Sequence, residues 1–464
     1  MTSLSKEQSS ISTRPYIKFF LLYGLLSMGI AIMWGAWNNY LPIILQAGNP
    51  NFTSTSTVQV AGFGLNTFQT GLVMTIHSVF LIFVPIFGAW GDRTTKRREL
   101  GVIMGLITIV AYICIPLISS TITPAISGNT QKLMPLLIVT VILVFVVMIS
   151  DPIAESFRSS YQYNMVPKIH QGKLSSYGVF LGGAGFLVAT FAGTILYGMN
   201  HGYPFYIAAA LELLFVIGFA IFSPPETEKD KLLKEERASG HYEKFNPFKV
   251  IAETFKVISK YGKICIVLIF VIKILINFGI YGMQTYGSSY LYKDLGIAPN
   301  IAMIATMVYF MGYMLMSLPI GVIADRINRS ILFAIGAIVM IIGAFGVLFI
   351  AKSFAALCVW VFFIGMASSI MDVLVIPYVM SFAPEKSKNT GTLYSTAVMF
   401  VTVSSLFSTP LLGLIIEKSG HYNTLFYVMI ICAVASLIPN IFLYKTAKKL
   451  PDWKKTRIPE NASL

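Results

Sequence analysis

Seven charged or titratable side chains stand inside apolar runs of this 464-residue sequence: His77, Asp151, Glu155, Arg158, Glu212, Lys273 and Asp372. A charge in hydrocarbon costs several kcal/mol unless it is paired or faces a water-filled cavity, so each is a candidate for ion coupling or gating. Asp151, Glu155 and Arg158 fall at i, i+4 and i+7, which puts them on one helical face, with Arg158 expected to neutralise one of the two carboxylates. That face fits an inner gate or cavity wall and fits a structural ion pair equally well. Lys273 has no partner on its own run and calls for a carboxylate from another, with Glu212 and Asp372 at comparable depth. Glu212 also reads as a neutral carboxyl packed among helices, and His77 as a plain interhelical hydrogen bond.

A second set of residues is suited to neutral recognition. Trp34, Trp37, Asn38, Asn39 and Tyr40 lie together in the first apolar run, and Tyr281, Gln284 and Thr285 lie in the run that opens the second half. Aromatic faces stack on the C–H faces of sugar rings, while amides and hydroxyls bond to substrate hydroxyls in a mostly apolar pocket. The competing reading is an aromatic belt at the membrane interface or simple packing. A dense cationic clamp for a polyanion is missing. So are an HExxH motif, a nucleotide-binding loop and clustered cysteines, because Cys114, Cys265, Cys358 and Cys432 are scattered singly. An enzyme, a metal site and a bound cofactor are therefore not expected.

The third set is repeated. Gly88-Ala-Trp-Gly-Asp92-Arg93-Thr-Thr-Lys96-Arg97 follows the second apolar run, and Gly321-Val-Ile-Ala-Asp325-Arg326 follows the eighth. Glycine permits close helix approach, and the Asp and Arg can latch a neighbouring helix and release it. The bland alternative is that these basic residues serve only topology.

These residues need helices to hold them. Hydrophobic residues make up 56% of the chain and charged ones 12%, against about 25% charged in soluble proteins. Apolar runs long enough to span a bilayer fall near 16–45, 68–90, 100–120, 133–160, 175–198 and 203–222, then near 263–292, 301–323, 330–350, 354–382, 391–416 and 423–446. This predicts an all-α membrane protein of twelve transmembrane helices in two pseudo-symmetric six-helix lobes, 16–222 and 263–446. A polar N-terminus (1–15), an inter-lobe linker (223–262) and a tail (447–464) complete the plan. Asn246-Pro247 starts a short interfacial helix within the linker.

Of the 34 Lys and Arg residues, Lys132, Lys293, Lys352 and Lys418 fall in the loops of one side and Lys273 near the middle of a helix, leaving 29 toward the side of the termini, with Arg158, late in its helix, among them. The positive-inside rule then predicts cytoplasmic termini and a multi-pass plasma-membrane protein. It also explains the net charge of +14 without nucleic acid.

The paired Gly-x-x-x-Asp-Arg frames on a twelve-helix plan resemble the loop signature of the major facilitator superfamily. Within it, Trp37-Asn38-Asn39-Tyr40-Leu41-Pro42, the Phe63-Gly64-Leu65 approach to the second run and Thr390-Gly391-Thr392-Leu393-Tyr394 are similar to glycoside-pentoside-hexuronide:cation symporters, nearest the sucrose-transporter-like branch. The resemblance implies sugar or glycoside transport coupled to protons or sodium. His77 stands where that branch carries an acidic residue, which weighs against a sodium site there. Ser160 replaces the proline of an Arg-Ser-Pro element that resembles Arg158-Ser159-Ser160. Asp151 resembles a helix-4 aspartate of the melibiose-permease branch, although the spacing to the following prolines differs.

The expectation is a monomeric secondary transporter for a sugar-like solute and a coupling cation, surrounded by lipid. The alternatives are a major facilitator exporter of a drug or organic acid and, more remotely, a non-transporting sensor on the same scaffold.

Overall fold

Without water in the bilayer core, every backbone N–H and C=O must bond within its own segment, so apolar runs of this length form helices. The computed structural model describes residues 14–48, 61–65, 69–70, 73–74, 80–167, 170–225, 227–239, 246–297, 299–324, 327–382 and 389–450. The helices of the first half are α1 (Ile17–Gln46), α2 (Val84–Arg93), α3 (Arg97–Ser119), α4 (Thr130–Met165), α5 (Gln171–Met199) and α6 (Tyr203–Phe222). Two linker helices follow, α7 (Glu228–Ala238) and α8 (Pro247–Val257). The second half comprises α9 (Lys260–Lys293), α10 (Pro299–Ala324), α11 (Arg329–Phe345, extended by a π turn to Ile350), α12 (Phe354–Ser381), α13 (Thr390–Ser419) and α14 (Thr424–Ala447).

Ten of these helices are long and apolar enough to cross a membrane. Of the second run the described helix is Val84–Arg93, and α13 carries a shorter apolar stretch at Leu406–Ile416. Asn and Ser caps start several helices. Asn246 accepts from the N–H groups of Phe248 and Lys249 just before Pro247, and Ser259 accepts from Gly262, so the linker breaks cleanly before α9. The α7 helix was not expected from the sequence; Thr227 and Asp230 bond reciprocally at its start, as a capping box does.

The two halves repeat one packing plan. α1 packs on α5 and α6 as α9 packs on α13 and α14, and α3 packs on α4 and α6 as α11 packs on α12 and α14. One apolar cluster lies within the first half and includes Trp37, Tyr112, Phe205 and Phe219, while the other fills the second half around Met340, Met371 and Phe426 and takes in Phe20, Tyr23 and Tyr163 of the first. Large apolar side chains such as Val110, Phe191, Ile221 and Ile438 remain exposed on the outer faces, as lipid rather than water requires. The halves meet through α2 against α13 and, reciprocally, α10 against α5, with α4–α13 and α12–α5 contacts beside them. The second helix of each lobe therefore clasps the fifth of the other.

Candidate functional site

Arg158 departs from the local expectation. Its Nη1 lies 2.8 Å from Glu212 Oε1 on α6, and both side chains are 2% exposed. It therefore pairs outside its own helix rather than with Asp151 or Glu155. The reason is room: a Cβ on Gly101 of α3 would sit 2.8 Å from Arg158 Cγ, and one on Gly29 of α1 would sit 2.2 Å from Glu212 Oε2. Two glycines thus open the channel through which the guanidinium reaches α6. Glu212 is an ion-pair member here, not an isolated carboxyl.

Asp151, buried at 5% exposure, accepts from the Trp34 indole Nε1 at 3.1 Å. Half-buried Glu155 reaches across the seam, where Tyr394 Oη of α13 donates to it at 3.3 Å. The first lobe thus gathers Asp151, Glu155 and Glu212 around one arginine.

The second lobe answers with a smaller cluster. Lys273 of α9 forms its ion pair with Asp372 of α12, so of its two candidate partners it takes Asp372. Tyr313 of α10 donates to the second carboxylate oxygen at 2.9 Å. Lys273 is 1% exposed and Asp372 25%. Tyr313 was missed in the sequence because a tyrosine at helical spacing reads as core. Tyr281 on α9 is half-buried and Gln284 exposed, while the Thr285 side chain lies outside what is described.

The first-run aromatics divide. Trp34 joins the Asp151 site, but Trp37 is 1% exposed and wedged among Trp34 and Tyr112 at ring separations of 5.9 and 6.0 Å. Tyr40 is likewise buried and stacks on Tyr197 at 4.6 Å. Both pack inside the lobe, away from the surface of the described structure. Asn38 is exposed and Asn39 half-buried. His77, Asp325 and Arg326 lie outside the described residues.

The repeated frame does its work at the seam, on the face of the bundle where α1 begins. Asp92, 1% exposed, accepts from the Gly391 and Thr392 N–H groups at 2.8 and 2.7 Å and from Thr392 Oγ1 at 2.7 Å. It caps α13 of the other lobe, placing a carboxylate on the positive end of that helix. Gly88 makes this approach feasible, since a Cβ there would sit 2.5 Å from the Gly391 carbonyl. Gly321 repeats the arrangement against α5, where a Cβ would sit 2.4 Å from Ser176 Cβ. Ser156 and Ser395 hydroxyls meet at 2.6 Å, and Phe186 stacks on Phe310 at 4.7 Å.

Arg93 and Arg97 point to the linker instead. Arg93 lies 3.2 Å from Glu253 of α8, and fully buried Arg97 lies 2.6 Å from Asp230 of α7. A groove of about 380 Å³ lined by Cys114, Leu117 and Leu143 is apolar and takes no residue from either charge cluster.

The two-lobe helical fold is similar to that of known proteins. The Major Facilitator Superfamily pattern matches residues 19–290 and 274–464. No curated protein matches the chain in sequence. Among solved structures, the proton:xylose symporter XylE, bound to 6-bromo-6-deoxy-D-glucose, is similar over 92% of this chain and 94% of its own, with TM-score 0.65 and 14% identity. The E. coli fucose:proton symporter FucP is similar over 92% and 98%, with TM-score 0.62 and 13% identity. A bacterial homologue of the iron transporter ferroportin is similar over 93% and 99%, with TM-score 0.64 and 14% identity. At such identities the likeness establishes the fold, while the sequence pattern covers nearly the whole chain: this multi-pass membrane protein belongs to the major facilitator superfamily of transporters.

Proposed function

We propose that this transporter moves a sugar or related polyhydroxylated solute together with a cation, a proton in the first instance, by alternating access. The observation that carries the cation is the imbalance in the first lobe, where, among the described residues, Asp151, Glu155 and Glu212 share the single arginine Arg158. A surplus of carboxylates at a seam attracts and releases positive charge without any metal-binding constellation, and the described residues hold none. His77, in place of an acidic residue, favours a proton over sodium.

Trp34 and Tyr313 bond directly to the clusters, and Asn38, Asn39, Tyr281, Gln284 and Thr285 on the opening helices of the two halves are of the types that recognise hydroxyls. Sugar:proton symporters among the structural neighbours support this reading without deciding it. Under it, the face bearing the termini is cytoplasmic, the protein resides in the plasma membrane, and the Asp92 clasp is the closed inner gate of an outward-facing state. Breaking the clasp at α2–α13 and α5–α10 while the lobes rock opens the site inward.

The test is uptake of radiolabelled sugars into proteoliposomes under an imposed pH gradient, with a sodium gradient in parallel. Accumulation driven by the pH gradient is expected. Failure of every sugar under every gradient rejects the proposal. The same carboxylate surplus also favours a second reading, export of an organic cation. Export abolished by Glu212→Gln or Asp372→Asn, with no sugar uptake, would select it.

A further inference from the structure

On the face where α1 begins, α9 starts and α14 ends side by side. Lys260 and Lys263 stand at the start of α9, and Lys445 and Lys449 at the end of α14, all exposed. One contact joins the α14 end to the α9 start: Lys449 Nζ lies 5.5 Å from the centre of the Tyr261 ring. Lys448 Nζ is likewise over the Tyr444 ring at 4.2 Å. The first turn of α9 contains no acidic residue. Among the described residues, the stretches Ser259–Lys263 and Tyr444–Leu450 contain no carboxylate side chain.

The apolar surface directly beneath continues from these lysines. Ile264, Val267 and Val271 are exposed one, two and three turns below Lys260 on α9. Ile438, Ile441 and Phe442 are exposed below Lys445 on α14. The two helices are packed on each other, with Tyr290 and Phe426 in edge contact at 5.0 Å farther along. Two lipid-facing strips therefore run up to the lysines at the ends of these two packed helices.

Charges that only set topology need no aromatic contact between the two helix ends and no acyl-chain path below them. We propose that this α9–α14 corner is a binding site for an anionic phospholipid, its phosphate held by Lys260, Lys263 and Lys449 and its chains laid along the exposed apolar strips. A basic pocket between helices at the membrane surface has the complementary charge for such a headgroup, and Tyr261 supplies an aromatic shelf at interfacial depth. The occupant is a lipid rather than a free phosphate because half of the site is apolar. This inference is independent of the transported solute; it requires only the membrane setting.

The experiment is thermal unfolding of the purified full-length protein in detergent with added phosphatidylglycerol, phosphatidylcholine or inorganic phosphate. Phosphatidylglycerol is expected to raise the Tm by several degrees, through binding to the folded state alone, and the other two to leave it nearly unchanged. In the triple variant Lys260→Gln/Lys263→Gln/Lys449→Gln the apparent affinity for phosphatidylglycerol should fall by at least tenfold, each ammonium being worth roughly fivefold near a membrane surface. The corresponding Lys→Arg triple should keep the shift. Should the Gln triple not fold, Lys449→Gln alone, expected to lose roughly fivefold, decides the matter. An equal shift from phosphatidylcholine, an equal shift from phosphate alone, or a full shift retained by the Gln variants would each overturn the proposal.

Discussion

The two lobes carry the same helix plan but spend their buried charges differently. In the first, an arginine and a glutamate are paired where each is 2% exposed, and two further carboxylates, Asp151 and Glu155, stand beside them. In the second, one lysine meets one aspartate that is 25% exposed and shares a tyrosine hydroxyl. Pseudo-symmetry of backbone has therefore not carried symmetry of charge. A locked pair with surplus carboxylates suits ion handling, whereas a balanced, partly accessible pair bonded to Tyr313 suits contact with a solute.

The largest expected effect comes from breaking the locked pair. Arg158→Met leaves Glu212 buried and uncompensated, and should lower stability by about 3–5 kcal/mol. The double variant Arg158→Met/Glu212→Leu should recover much of that, because removing both charges removes the uncompensated one. Thermal unfolding of the two singles and the double in detergent gives the coupling energy. Singles no worse than Lys273→Met would abolish the distinction between the lobes, since the more exposed Asp372 tolerates loss of its partner better.

Next in size is the clasp between lobes. Asp92→Ala removes three hydrogen bonds accepted by a charged, buried carboxylate and should weaken closure at this face by about 2 kcal/mol or more. Under the proposed cycle, that shifts the resting population toward an inward-open state. Distances between spin labels at Lys96 and Ile327, in a background lacking the native cysteines, should lengthen. An unchanged distance distribution would mean that the clasp is not a gate.

Asp151→Asn tests the division of labour directly. It removes one surplus carboxylate while keeping its shape and its contact with Trp34. Gradient-driven accumulation should fall about tenfold, equivalent to about 1.4 kcal/mol, while exchange of labelled solute between equal concentrations persists. Asp372→Asn should instead depress both. Identical phenotypes would merge the two clusters into one site.

Much of this architecture is legible in the sequence because lipid forces it. Apolar runs must become helices, and their ends agree with the observed α1, α3, α6 and α12 within a few residues. The repeated glycine and aspartate are also legible, since a frame recurring at matched places in two halves marks a shared structural task. What the repeat does not reveal is its partner, because the α13 backbone N–H groups that Asp92 caps belong to a helix some 300 residues away. Arg158 illustrates the same limit. Spacing along one helix points to Asp151 and Glu155, yet Gly29 and Gly101 on two other helices open the way to Glu212. Trp37 and Tyr40 show the limit from another side: their chemistry suits a sugar, but their depth within the lobe is set by packing against Tyr112 and Tyr197, which spacing does not encode. The Thr227–Asp230 cap of α7 was readable and passed over because the segment is rich in charge.

The smallest effect sharpens the comparison most finely, because it changes one donor on each side. Trp34→Phe deletes the indole N–H held by Asp151, and Tyr313→Phe deletes the hydroxyl held by Asp372. Asp372 keeps Lys273 as a direct partner and has part of its surface open, so Tyr313→Phe should cost about 1 kcal/mol or less. Asp151 is almost wholly buried, and the arginine on its helix is committed to Glu212, so loss of its indole donor should cost more. Unfolding midpoints of the two variants, measured in one detergent, give the order. If Tyr313→Phe proves the more damaging, the second lobe's pair depends on its tyrosine rather than on its lysine, and the solute-facing role assigned to Asp372 passes to a structural one.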